Sequence, residues 1–178
     1  MLLRDNLRAM LAFPGTMTIL APLVLLSLFP VQGAGWDLPV PANMAAVLAG
    51  AGLIGCGLGL LLWTNSLFYR IGRGTLAPWQ PPQRLVVRGV YRHVRNPMIS
   101  GVFCILLGEA VLLLSPALLG WFLVFMCVNL LYIPLLEEPG LERRFGDEYR
   151  SYRANVPRWV PRRRGWSADK TPAKAPQR

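Results

Sequence analysis

Charged residues are scarce in this 178-residue chain, at 16% of positions, and acidic residues are the smaller part of them. Nine Asp and Glu stand against nineteen Lys and Arg, which gives a formal net charge of +10 at pH 7. These charges lie almost wholly outside the long apolar runs, so they describe loops and a tail. A soluble nucleic-acid binder carries such charge on a folded polar domain, and this chain has none. We expect anionic membrane lipid, not nucleic acid, to be the partner.

Histidine and cysteine are also rare, with one and three residues. Cys56, Cys104 and Cys127 all fall inside apolar runs, without CxxC spacing and without a cluster of His or carboxylates beside them. A protein metal site needs several such ligands together. The sequence therefore predicts no metal site and assigns the cysteines to the packed interior.

Long apolar runs are abundant, and hydrophobic residues make up 53% of the chain. Four stretches reach the length needed to cross a bilayer. The sequence predicts an all-α, polytopic integral membrane protein with about four transmembrane helices, at roughly residues 12–31, 42–63, 98–114 and 117–136. The first run is longer than the apolar core of a signal peptide, so we expect it to be retained.

The basic residues are distributed unevenly among the connections between these spans. Arg4, Arg8 and residues 70–95 carry them, and so does the C-terminal tail. Residues 32–41 and 115–116 carry none. By the positive-inside rule, both termini and the middle loop are predicted to be cytoplasmic.

Small residues recur every four positions in the second span, at Ala51, Gly55 and Gly59. This spacing is typical of a helix face that lets another helix approach closely. The third and fourth spans are joined by only Ser115 and Pro116, which predicts a tight antiparallel hairpin. Its two polar ends should therefore lie side by side.

The segment after the fourth span reads EEPGLERRFGDEYRSY, in which Pro139-Gly140 should break the helix. A second, amphipathic helix then follows in a cytoplasmic cap predicted at residues 137–161. From residue 162 to 178 the composition predicts a disordered basic tail. Four residues should share one face of the cap helix: Leu141, Phe145, Tyr149 and Tyr152.

One end of the predicted hairpin carries the stretch RHVRNPMISG. Asn96 is a favoured N-cap and Pro97 a favoured first helical residue, so the third span should begin here with free backbone N–H groups. Arg92 and Arg95 flank that start, which favours an anion such as a carboxylate or phosphate. The alternative is an ordinary basic flank of a membrane helix.

The other end carries Glu137-Glu138, which the hairpin should bring close to Arg95. Two carboxylates at a helix C-terminus oppose the helix dipole, at roughly 0.3–1 kcal/mol each when exposed. A cation should compensate them. One candidate is Arg143 or Arg144, and the other is a cationic ligand held between the two ends of the hairpin.

The chain resembles the isoprenylcysteine carboxyl methyltransferase family, in its bacterial branch, within the phospholipid methyltransferase superfamily. The similar stretches are GRGTLAPWQPPQRLVVRGVYRHVRNPMISG, LLGEAVLLLS and EEPGLERRFGDEYRSYRANVPRWVP, in that order over residues 72–161. The resemblance implies one membrane methyltransferase domain, residues 1–161, which uses S-adenosyl-L-methionine at the cytoplasmic face of a bacterial inner membrane. Matched by position, it implies cofactor binding by Arg95, Asn96, Pro97, Gly101, Glu137 and Glu138.

The cofactor carries a carboxylate, an ammonium and a sulfonium. We expect Arg95, the helix start and His93 to hold the carboxylate, and the two glutamates to face the cationic groups. Two positions depart from the family pattern: Ile99 stands where Tyr is common, and Asn96 where the eukaryotic pattern has His. These departures affect the prediction of the acceptor more than that of the cofactor.

The sequence does not assign a catalytic base. The candidates are Tyr91, His93 and Glu109, the last about 18 Å into the third span at 1.5 Å per residue. An intramembrane acid is a functional candidate by default, although a structural contact with Asn129 is the alternative. Further candidates for substrate or cap contacts are Trp79, Arg153 and Arg158, which are otherwise an interfacial anchor and lipid-phosphate contacts.

The sequence therefore predicts a membrane methyltransferase that acts on a lipophilic or small acceptor, through a carboxylate, thiol or amine. Two other functions are open. A membrane reductase would bind NADPH and transfer no methyl group, and a non-enzymatic basic adaptor would tolerate the loss of both glutamates. The sequence does not indicate the oligomeric state.

Overall fold

The computed structural model describes residues 11–30, 39–72 and 84–167. Within these ranges the chain is helical and contains no β-strand. Short π-helical and 3-10 stretches adjoin the α-helices, at Leu11–Leu20, Phe68–Gly72, Gly89–Arg92 and Ile133–Glu137. The α-helices are α1 (Ala21–Leu28), α2 (Val40–Leu67), α3 (Pro97–Leu112), α4 (Pro116–Tyr132) and α5 (Glu138–Asn155).

Two helical stretches are long and apolar enough to cross a membrane, Val40–Leu67 and Pro116–Asn155. The shorter apolar helices are Pro14–Leu28 and Pro97–Leu112. Large apolar side chains on α2 and α4 face outward, for example Leu62 and Leu131 at 60% and 63% exposure. Apolar surface of this extent is typical of a helix in contact with lipid. The predicted all-α class is confirmed, and the count of four spans stays a prediction.

The hairpin of α3 and α4 begins and ends on residues suited to those positions. Asn96 has non-helical backbone angles and Pro97 is the first residue of α3. At the far end, the Ser115 hydroxyl accepts a hydrogen bond from the Leu118 N–H, and Pro116 begins α4. The predicted helix start and hairpin turn are therefore confirmed.

Helices α2 and α3 approach closely at two glycine pairs. A Cβ on Gly57 would lie 2.5 Å from the Gly101 carbonyl oxygen, and one on Gly50 would lie 2.8 Å from that of Gly108. The glycines are seven residues apart on each helix, about two turns, so both pairs lie on one line of contact.

The predicted packing face of α2 was wrong. A Cβ on Gly55 or Gly59 would meet no atom of the described residues within 4 Å, and Ala51 is exposed. The contact follows seven-residue spacing and not the four-residue stripe, because seven residues make nearly two full turns and return to the same helix face.

The cap helix α5 continues through Pro139-Gly140, where the sequence predicted a break. The π-helical stretch Ile133–Glu137 directly precedes Pro139, and such an irregular turn is where a helix accommodates the backbone donor that proline lacks. The break lies instead at Gly146, whose φ of 54° and ψ of −128° are not helical and favour glycine. The predicted apolar face is confirmed, since its residues pack in one cluster that includes Leu141, Phe145, Tyr149, Tyr152, Val156 and Trp166.

Residues 157–166, which we call the strap, run back from α5 along residues 92–95. The predicted disorder is wrong for residues 162–166, because the Trp166 side chain is buried among the apolar residues of α5. Residues 168–178 of the predicted tail lie outside the described residues. Three backbone hydrogen bonds hold the strap: Arg95 N–H to Pro157 O (2.9 Å), Arg162 N–H to His93 O (3.0 Å) and Trp166 N–H to Arg92 O (2.9 Å).

Candidate functional site

The two polar ends of the hairpin meet through a buried ion pair. Arg95 lies two residues before the first residue of α3, and Glu138 is the first residue of α5. Arg95 Nη1 donates to Glu138 Oε1 at 2.9 Å, with side-chain exposures of 10% and 5%. The hairpin geometry therefore brings these two residues together as predicted.

A second arginine completes this cluster from the strap. Arg158 Nε donates to Glu138 Oε1 at 2.7 Å, and Arg158 Nη2 donates to Oε2 at 2.9 Å. Two parallel bonds of this kind are the strong, planar mode of arginine-carboxylate pairing. We call Arg95, Glu138 and Arg158 the buried triad. Its cations are these two arginines and not the predicted Arg143 or Arg144.

The triad keeps its carboxylate ionised. Burial raises the pKa of Glu138, but the hydrogen bonds from Arg158 and the positive charges of Arg95 and Arg158 outweigh it. The pKa of Glu138 consequently lies below its ordinary value. Two cations and one anion leave the triad with a net positive charge.

The guanidinium of Arg95 has one donor to spare. Its Nε is buried and has no hydrogen-bond partner among the described residues. A buried donor left unpaired costs about 1–3 kcal/mol. The first backbone N–H groups of α3, which also lack helical partners, follow directly in the chain. This corner of the site is therefore suited to an anionic group that accepts hydrogen bonds.

The predicted acidic pair is divided by its surroundings. Glu138 is 4% exposed, whereas Glu137 is an exposed residue. Packing of the chain around the Glu137 carboxyl group and the charge of Glu138 raise the pKa of Glu137, whereas Arg158 and Arg95 lower that of Glu138. The two carboxyl groups therefore differ mainly in their cationic partners. The joint role predicted for both residues stays a prediction.

Tyr149 and Tyr152 lie near the triad, although the sequence pattern assigned them only to an apolar face. Tyr149 is 2% exposed, and the charges of Glu138 and Arg95 act on it. The Tyr152 hydroxyl donates to the Tyr91 carbonyl oxygen at 2.8 Å. The sequence signal for a polar neighbour was a tyrosine on the predicted apolar face of the cap helix, because a buried tyrosine hydroxyl needs a hydrogen-bond partner.

Tyr91, a candidate base, is 6% exposed and packs edge-on against Phe68. Burial raises the pKa of Tyr91 well above its ordinary value. Its hydroxyl therefore stays protonated at neutral pH, which makes it a poor base.

His93, the other aromatic candidate, is directed to the strap. Its Nδ1 lies 2.8 Å from the Arg162 carbonyl oxygen. A Cβ on Gly165 would lie 3.0 Å from the His93 Nε2, so only glycine fits there without displacement. Arg92 makes a similar contact, donating from Nε to the Trp166 carbonyl oxygen at 2.7 Å.

The remaining residues of the predicted cofactor motif lie at the helix start. Asn96 Nδ2 is 3.5 Å from the Arg158 carbonyl oxygen, and Pro97 is buried. Gly101 faces α2, where a Cβ would lie 3.0 Å from the Gly57 carbonyl oxygen. Its position is thus explained by helix packing.

The polar residues inside the hairpin do not pair with each other. Glu109 is partly exposed, and its Oε2 is buried with no hydrogen-bond partner among the described residues. Asn129 donates instead to the Phe125 carbonyl oxygen at 2.8 Å.

Of the other residues predicted to contact substrate or cap, Arg153 pairs with Glu142 at 3.1 Å on the surface. Trp79 lies outside the described residues.

An aromatic contact extends the site toward the apolar surface. Trp159 stacks on Phe103 of α3, with ring centroids 5.5 Å apart and 27° between the planes. Phe103 in turn meets Phe122 and Phe125 of α4 edge-on. Adjacent strap residues therefore reach two environments, Arg158 the triad and Trp159 the apolar face of the hairpin. The sequence analysis did not foresee this contact.

A family model described as phospholipid methyltransferase matches residues 45–148, more than half of the chain. No curated protein and no solved structure matches the chain. The matched range contains Arg95 and Glu138, whereas Arg158 lies beyond it. Among the described residues, no group of three or more His, Cys, Asp or Glu is placed to hold a metal ion.

Proposed function

The chain belongs to the phospholipid methyltransferase family, and on this premise we propose that it binds S-adenosyl-L-methionine at the buried triad. Family membership makes it a membrane methyltransferase. The finer proposal is that it transfers a methyl group to a lipophilic or small acceptor that presents a carboxylate, thiol or amine. We also propose that the triad end of the hairpin faces the cytoplasm of a bacterial inner membrane and that the chain has four spans. The basic residues at that end support this orientation.

One observation carries the cofactor proposal: an unpaired buried hydrogen-bond donor and an ionised carboxylate occur in the same site. Among the described residues Arg95 Nε has no hydrogen-bond partner, and Glu138, which pairs with Arg95 Nη1, is ionised. A ligand that is anionic at one end and cationic at the other complements both. The amino-acid part of the cofactor has this charge pattern, with its carboxylate for Arg95 and its ammonium or sulfonium for Glu138.

The protein's task in such a reaction is mainly orientation. A bound sulfonium supplies a methyl group that is already activated. The residues around it must align the acceptor with that methyl and exclude water. Burial of Glu138 and Tyr149 supports the exclusion of water at the triad.

The acceptor decides whether a base is needed. A carboxylate acceptor needs none, whereas an amine or thiol must lose a proton. Glu109 lies about 18 Å along α3 from the helix start, at 1.5 Å per residue. That separation argues against Glu109 as a base at the triad and leaves it a role deeper in the membrane.

The test is a calorimetric titration of S-adenosyl-L-methionine into the detergent-purified protein, with NADPH as the comparison ligand. We expect saturable binding of the methyl donor and none of NADPH. Glu138→Gln and Arg95→Ala should each weaken that binding at least about tenfold, since a charge-assisted hydrogen bond is worth about 1.5–3 kcal/mol. Glu142→Gln is the matched control, because it alters a nearby carboxylate outside the triad.

The alternatives give different results. Binding of NADPH alone would assign a reductase activity, and binding of neither ligand by folded protein would favour a non-enzymatic adaptor. Unchanged affinity in both triad variants would refute the assignment of the site.

A further inference from the structure

Arg158 lies where the proposed ligand's cation must lie. It engages both oxygens of Glu138, at 2.7 Å and 2.9 Å. With the bond from Arg95, three of the roughly four acceptor positions of this carboxylate are used. Adding a third cation around one buried carboxylate would bring like charges together in a poorly hydrated space. A cationic ligand at Glu138 therefore competes with an arginine.

The two arginines differ in how easily they can leave. The Arg95 side chain is 10% exposed, whereas that of Arg158 is 33% exposed. A partly exposed arginine that gives up its carboxylate regains hydration, but a buried one does not. Arg158 is accordingly the one that a ligand displaces.

The strap allows such a movement between two fixed points. The Arg95 N–H bonds the Pro157 carbonyl oxygen, and the Arg162 N–H bonds the His93 carbonyl oxygen. Residues 158–161 form the loop between these anchors. The loop has an open side, because Val160 is 76% exposed.

The same loop carries Trp159, which covers part of the apolar face of the hairpin. Its ring stacks on Phe103. Because Arg158 and Trp159 are consecutive, a loop movement that withdraws the guanidinium also moves the indole.

We propose that Arg158 is a displaceable internal counter-ion of Glu138, and that its departure on binding of a cationic ligand withdraws Trp159 from Phe103. Occupation of the polar site thereby uncovers the Phe103 face of the α3–α4 hairpin to lipid. The inference rests on the proposed function, since the ligand is the methyl donor. By this inference, an apolar methyl acceptor gains access to the site only after the methyl donor has bound.

The first test measures the Kd of S-adenosyl-L-methionine in Arg158→Gln, by calorimetry on the full chain. If Arg158 competes with the ligand, its removal lowers the Kd severalfold. If Arg158 contacts the ligand instead, the Kd rises, and an unchanged or higher Kd overturns the inference. Arg150→Gln, which removes an exposed arginine of the same helical cap, is the control and should leave the Kd unaltered.

A milder substitution covers the case in which Arg158→Gln does not fold. Arg158→Lys keeps the charge but cannot form the two parallel bonds. It should also lower the Kd, by less than the glutamine variant. A rise in the Kd of the lysine variant overturns the inference.

The second test follows tryptophan emission during the same titration. The chain has six tryptophans, so the signal of Trp159 is taken as the difference between wild type and Trp159→Phe. We expect a ligand-induced change in wild type that is lost in Trp159→Phe and kept in Trp63→Phe, whose indole is half exposed on α2. Heat of binding without this Trp159-dependent change refutes the coupling while leaving the proposed function intact. Absence of binding heat refutes the proposed function itself.

Discussion

Two carboxylates one turn apart on α5 each bind two arginines, yet they lie in different environments. Glu138 is 4% exposed, and its partners Arg95 and Arg158 come from 43 and 20 residues away in the chain. The Glu142 side chain is 31% exposed, and its partners Arg150 and Arg153 belong to its own helix and are at least half exposed.

The two clusters have the same charges, so the property that distinguishes the proposed binding site from the surface ion pair is burial. An exposed pair contributes about 0–1 kcal/mol, because water already solvates both charges well. Breaking a buried pair costs about 3–5 kcal/mol, because a charge is left without compensation. A ligand that replaces one partner at Glu138 thus acts on a strong interaction, whereas one at Glu142 would act on a weak one.

The largest effect should come from breaking the buried cluster. Glu138→Gln leaves Arg95 and Arg158 facing each other without their anion, and we expect a loss of about 3–5 kcal/mol in the free energy of unfolding. The measurement is denaturant unfolding in mixed micelles, with Arg95→Gln as a second probe of the same cluster. A loss below that of Glu142→Gln would remove the distinction between the two sites.

Acid should reduce the stability in the same direction without a mutation. The pKa of Glu138 is lowered in the folded state, so its contribution to stability is present above the unfolded value of about 4.3. It falls as the pH drops below that value and is gone below the folded pKa. We expect wild type and Glu138→Gln to converge in stability over this range. Parallel curves would mean that the pKa of Glu138 is the same in the folded and unfolded states.

A smaller effect should follow from moving the strap while leaving both carboxylates intact. In Gly165→Ala the new Cβ would lie 3.0 Å from His93 Nε2, and we expect about 1–3 kcal/mol of destabilisation from overpacking. The same variant should alter ligand affinity, because Arg158 belongs to the strap. Gly140→Ala, whose Cβ would meet nothing within 4 Å, is the control for both measurements.

The smallest effect should come from the exposed cluster. Glu142→Gln is expected to change the free energy of unfolding by no more than about 1 kcal/mol. Salt should reduce even this difference, since exposed charges are screened. A salt-independent loss of unfolding free energy comparable to that of Glu138→Gln would contradict the inference that Glu142 interacts weakly because it is exposed.

The sequence predicted the parts of the site that depend on local rules. Asn96-Pro97 marks a helix start by its residue types, and the short turn at Ser115-Pro116 places Arg95 beside Glu138. The apolar face of α5 follows from helical spacing. These predictions needed only neighbouring residues or one hairpin.

The parts that failed depend on contacts between distant segments. No local pattern links Arg158 to Glu138, because the path of the strap is set by its bonds to residues 92–95. Gly50 and Gly57 contact α3, while the more regular stripe at Gly55 and Gly59 does not. The reason is that packing against α3 selects which face of α2 makes the contact, and the sequence of α2 alone does not. Trp166 escaped prediction for a related reason, since its pocket is built by α5.

The strap has a practical consequence for anyone who shortens the chain. Its backbone bonds to Arg92, His93 and Arg95 mean that a protein cut after residue 156 keeps every predicted span and the whole family match, yet loses Arg158 and three ties at the helix start. Such a fragment would still partition into detergent and still appear intact by its helix content. Its altered binding would then be misread as a fault of the membrane part, when the cause is the loss of the ten-residue strap.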